Sequence, residues 1–116
     1  YMININYYAA NKFIRGPISL HQLLEFSKYG INAVRIFLYI RLQEGKLVSK
    51  GLLSQNQKVW EHAWIKLDNK TCEQTVALHK THKWDKLRTL EQKGLIELRT
   101  GAGRSPEAKI IIPTMH

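Results

Sequence analysis

The sequence predicts a mainly α-helical domain of the α+β class with one small β-hairpin. Three observations predict it. Helical spacing of apolar residues recurs along the chain, with two short stretches almost contiguous between residues 69 and 93. Two apolar runs, LIELRT (95–100) and AKIIIP (108–113), flank the turn-rich GAGRSPE. The 116 residues, 44% of them hydrophobic, suffice for one modest core and argue against wholesale disorder.

Residues 1–18 read as an N-terminal arm or strand. In MININYY, Ile3 and Ile5 alternate with Asn4 and Asn6, a period of two, before Gly16-Pro17 interrupts it. Residues 19–113 read as a single domain. Ser19 is an N-cap, Leu20, Leu23, Leu24 and Ser27 share one helical face, and Gly30 ends that helix. The next helix, 31–44, is apolar almost all round through Val34, Ile36, Phe37, Leu38, Tyr39, Ile40 and Leu42. Such a helix is either central to the core or shared with a second subunit. Residues 46–62 show no clean period and read as a long connection, with Trp60 and Trp64 as its anchors to the core. Lys46, Lys50 and Lys58 are available there for an accessory contact.

AWIKL (63–67) alternates like a short strand. Asp68 or Asn69 caps a helix over 69–79, with Cys72, Val76 and Leu78 on its apolar side. Thr81 caps another over 81–93, where Trp84, Leu87 and Leu90 face inward and Gly94 stops the helix. The two strands around GAGRSPE close the chain.

Eighteen Lys and Arg against nine Asp and Glu leave a net charge of +9. That surplus favours a polyanionic partner, nucleic acid ahead of membrane. The lone Cys72 cannot form an internal disulfide, and no stretch reaches the ~18 apolar residues of a membrane span. YMININYY lacks the pattern of a secretory signal, so a cytoplasmic location is expected.

Two helices with a minimal join and a hairpin directly behind them form a constellation. LRTLEQKGLIELR (87–99) carries a Leu-x-x-Leu-Glu-x-x-Gly-Leu-Ile pattern, and GRSP (103–106) precedes an apolar strand. In these motifs the chain resembles the winged helix-turn-helix DNA-binding superfamily, of the small bacterial or mobile-element regulator type, over about residues 63–113. The resemblance implies a helix-turn-helix over about 69–93, a wing over about 95–113 and an N-terminal helical extension. It also implies double-stranded DNA as partner, with helix 81–93 in the major groove.

The residues support that expectation on their own chemistry. With Trp84, Leu87 and Leu90 inward, Lys80, Thr81, His82, Lys83 and Lys86 fall near the exposed N-terminal half, the part that enters a major groove. Lysines donate to guanine O6 and N7, and Thr81 and His82 to base edges or phosphates. Asp85 is the exception, a carboxylate that repels phosphate unless it accepts from cytosine or pairs with Lys86. Arg88 is expected on a phosphate or beside Glu91. In the wing, Arg104 suits a minor groove or a bidentate phosphate grip, Ser105 adds a hydroxyl, and Arg99 sits at the base near the flanking backbone. The plain alternative is that Gly and Pro are ordinary turn residues and the lysines a solvated helix face.

Cys72, His62, His79 and His82 lack the paired spacing of a zinc site, so no metal and no cofactor are expected. No phosphate loop, H-E-x-x-H or suggestive carboxylate pair marks an enzyme. The apolar helix 31–44 and the tyrosine-rich arm suggest a homodimer through Tyr7, Tyr8, Phe13, Phe37 and Tyr39. Transcriptional regulation is the leading expectation. Plasmid or phage replication or partition uses the same physics, and the competing class is a protein-interaction module. Structured RNA is a third partner to test.

Overall fold

The computed structural model describes residues 18–51, 62–101 and 103–111. Helix starts follow the caps. Ser19 Oγ accepts the Gln22 N–H at 3.2 Å and opens α1 (Leu20–Ser27). Helix α2 (Ile31–Ser49) follows and runs five residues past the expected end at 44. Gly45 inside a helix costs about 1 kcal/mol against Ala. Packing overrides that cost: Leu47 lies against the core, and Glu44 is held from two sides. Arg41 Nη1 donates to Glu44 Oε1 at 3.0 Å, and His62 Nδ1 lies 2.8 Å from Glu44 Oε2. All three side chains are buried, so the group ties the end of α2 to the approach to β1 (Ile65–Lys66).

Asp68 caps α3 (Asn69–Val76), its Oδ2 accepting from the Thr71 N–H at 3.0 Å and the Thr71 hydroxyl at 2.8 Å. Partial burial pushes the Asp68 carboxyl up, but these hydrogen bonds outweigh it and hold the group below the ordinary Asp value. Helix α3 ends earlier than the expected 79. Ala77 turns left-handed (φ 57°, ψ 35°), its N–H bonds Glu73 O at 3.1 Å, and Arg35 Nη1 donates to the Ala77 carbonyl at 3.1 Å. Helix α4 (Lys80–Gln92) follows after three residues, capped by His79 rather than Thr81: His79 Nδ1 accepts the Thr81 N–H at 3.3 Å. Its end is as expected. Gly94 takes φ 76°, with Leu95 N–H on Leu90 O and Gly94 N–H on Glu91 O, the paired bonds of a left-handed helix stop.

Strands β2 (Ile96–Arg99) and β3 (Glu107–Ile110) complete an antiparallel sheet in the order β1–β3–β2. Ile65 and Leu98 both pair with Ala108, and Lys66 and Arg99 both pair with Glu107. The period of two turns Ile65, Ile96, Ala108 and Ile110 onto the helices and Lys66, Glu97, Arg99 and Glu107 outward. Among the described residues the fold is thus α+β, as expected, with four helices, and β1 adds to the expected hairpin to make a three-stranded sheet. None of these helices is long and apolar enough to cross a membrane.

The core lies between α2, α4 and the inner sheet face. Phe26 of α1 meets Phe37 of α2 with ring centroids 4.8 Å apart, and Ile36, Ile40, Leu67, Leu78, Leu87 and Leu90 fill around them. This corrects part of the dimer expectation. Phe37 and Tyr39 are buried in the chain's own core, so neither presents a side chain to a second subunit. Tyr7, Tyr8 and Phe13 lie outside the described residues.

Candidate nucleic-acid interface

Helix α4 is rotated from the expected orientation. Its buried side is Lys83, Leu87 and Leu90, at steps of four and three, and Trp84 is only half-buried. Lys83 is 1% exposed, and its ammonium donates to Leu67 O and Asn69 Oδ1, both at 2.6 Å. Burial pulls its pKa below the ordinary lysine value, against the opposing influence of Cys72 and Asp68. Lys83 is therefore a structural tether between α4 and the start of α3, and it cannot reach DNA. Desolvating an ammonium is tolerated here because both acceptors are in place.

The exposed surface of α4 carries Lys80, Thr81, His82, Asp85 and Arg88, with Lys86 half-buried at its flank. His82 sits edge-on to His79, ring centroids 6.4 Å apart. Arg88 lies over Trp84, 5.6 Å from the ring centroid, rather than pairing with Glu91. The sequence signal for that contact is the spacing of four between Trp84 and Arg88, which places them on one side of a helix.

The hairpin loop carries the second group. Arg104 N–H bonds Gly101 O at 3.1 Å, closing a tight turn, and Gly103 takes φ 70°, a backbone that favours glycine. Arg104 is exposed at the tip and Ser105 is half-buried beside it. Arg99 is present at the base but engaged. Its Nε donates to Glu107 Oε1 at 2.7 Å, and its guanidinium lies 4.1 Å from the Trp64 ring centroid. Trp64 thus serves the outer sheet face and not the hydrophobic core. The carboxylate of Glu107, absent from the sequence expectation, is what fixes Arg99.

Cys72 is fully buried, and desolvation pushes its thiol up to about 12, only partly opposed by Lys83. A thiol held that far from ionisation is chemically quiet. Asp68, Cys72 and Lys83 therefore form the support of the exposed surface and not part of it. Compared with protein families, with curated proteins and with solved structures, the chain matches none.

Proposed function

We propose that this chain is a winged helix-turn-helix protein that binds double-stranded DNA sequence-specifically, most simply as a cytoplasmic transcriptional regulator. Helix α4 enters the major groove and Arg104 reaches the minor groove or a phosphate. One observation carries the reading: the exposed N-terminal turn of α4, with Lys80, Thr81 and His82, is followed through one short strand by a loop that projects Arg104. The net charge of +9 supports a polyanionic partner. Lys83 has left the contact set, and Arg88 joins it. Replication initiation or partition would use the same contacts.

The test is selection of duplexes from a random pool, followed by binding measured against salt. Enrichment of a defined sequence is expected, with a log–log salt slope that Arg104→Ala flattens by about 0.9. A shallow slope with no enrichment favours the protein-interaction module instead. Recognition of structured RNA predicts stronger competition by duplex RNA than by duplex DNA. A homodimer would set two α4 helices about 34 Å apart and enrich an inverted repeat. A strict monomer in sedimentation, with and without DNA, removes that element alone.

A further inference from the structure

We infer that β1 extends the Arg104 contact along the nucleic-acid backbone: the groove between Lys66 of β1 and the loop residues 101 and 103–105 receives a run of phosphodiester, gripped by Lys66 and Arg104. The inference rests on the nucleic-acid reading above and adds to it a residue from another strand. Lys66, Arg99 and Arg104 line this groove, with Glu107 as the one carboxylate among the described residues of its lining. The register explains why that carboxylate does not spoil it. Lys66 and Arg99 flank Glu107 in one row across the sheet, all three on the outward face. Glu107 is drawn to Arg99 Nε at 2.7 Å, and the Arg99 guanidinium lies over the ring of Trp64, two residues before Lys66, 4.1 Å from its centroid. Arg99 and Glu107 thus compensate one another. Among the described residues, neither Lys66 nor Arg104 has a carboxylate in salt-bridge reach; Asp68 feels the Lys66 charge without pairing with it, so both cations remain available to the groove.

Shape agrees with charge. The groove is open to solvent along one side and offers about 710 Å³, the scale of a nucleotide-sized ligand and larger than an isolated ion requires. At Gly103 nothing lies within 4 Å of where a Cβ would stand, so a phosphate can approach the loop backbone closely there. The Arg104 stem lies along Gly101, whose added Cβ would sit 3.5 Å from Arg104 Cδ. Thr100 and Ser105 supply hydroxyl donors.

The experiment measures binding of one mixed-sequence duplex against salt for the wild type, Lys66→Ala, Lys66→Glu and Lys28→Ala. Lys28 is a control on α1, paired with Glu25 at 2.7 Å. Lys66 is exposed, so thermal unfolding of its variants is expected to match the wild type. Lys66→Met, which keeps the stem, replaces any variant that does not fold. The expected result is a slope shallower by about 0.9 for Lys66→Ala, a further loss for Lys66→Glu and no change for Lys28→Ala. Wild-type binding with the same slope in Lys66→Ala overturns this site and leaves the DNA reading standing. An equal effect of Lys28→Ala overturns it too, because the response would then be general charge. Replacing chloride by inorganic phosphate at matched ionic strength should leave the Lys66 difference intact. Its disappearance would assign the groove to a free anion and overturn the backbone contact. No duplex binding by the wild type even at about 50 mM salt sinks both readings.

Discussion

Replacing Lys83 by Met tests the tether that turns α4. Methionine keeps most of the buried stem and deletes the ammonium. The Leu67 carbonyl, on a fully buried residue, then loses the donor at 2.6 Å. An orphaned buried acceptor costs about 1–3 kcal/mol. Asn69 is exposed, so its Oδ1 turns to water at little cost. Relief from burying a charge offsets part of the loss. Lys83→Met should therefore lose about 1–2 kcal/mol at neutral pH, read as a lower urea midpoint with unchanged m-value. The pH dependence has a definite sign. The folded pKa is below the ordinary value of 10.5, so between the two the unfolded chain binds the extra proton. Wild-type stability then rises with pH across that window, relative to a variant without the amine. A neutral amine still has two N–H groups for its two acceptors, so the tether survives deprotonation. The gap between wild type and Lys83→Met should widen as pH rises towards 10.5. Equal stability at neutral pH together with a constant gap across the window would refute the tether.

Two further substitutions probe the frame around α4. Ala77 pays about 1–2 kcal/mol for its left-handed backbone, so Ala77→Gly, after the entropy cost of glycine, should raise stability by about 0.5–1 kcal/mol and raise the thermal midpoint. Asp68→Ala removes the cap of α3 and should cost about 1 kcal/mol at neutral pH. Because the folded Asp68 pKa is lowered, that contribution is full above the unfolded value and fades as pH falls through the folded one; chemical unfolding at several acidic pH values reads the convergence.

Local chemistry made much of the frame legible. Ser19, Asp68 and Gly94 act where side-chain capping and left-handed backbone demand them, and the alternation around GAGRSPE marks the hairpin. What the sequence could not convey was non-local. A lysine and a tryptophan adjoin at 83 and 84, and hydrophobicity alone turns the tryptophan inward. The structure does the opposite, because Leu67 O and Asn69 Oδ1, more than a dozen residues away, wait for an ammonium. Arg88 over Trp84 covers the ring left half-exposed. The same blindness affects Arg99, whose partner Glu107 is eight residues off in sequence but directly opposite in register. The helix expected over 31–44 runs on through Gly45 to Ser49, where Leu47 packs against the core. Phe37 and Tyr39 looked like interface residues because a continuous apolar run does not say which neighbours cover it.

Burying Lys83 changes what its charge can do. A lysine on the surface of α4 would release a counterion from DNA, and its loss would flatten the salt slope by about 0.9. An ammonium locked on Leu67 O and Asn69 Oδ1 releases none. It instead joins α4 to the β1–α3 junction, while Arg35 holds the turn at Ala77. Under the proposed function these two tethers set the angle at which Lys80, Thr81 and His82 meet a groove. Lys83→Met should then weaken DNA binding with the salt slope unchanged, whereas Lys80→Ala should flatten the slope with folding stability unchanged. Position and contact are separate roles for neighbouring lysines on one helix, and the two slopes tell them apart.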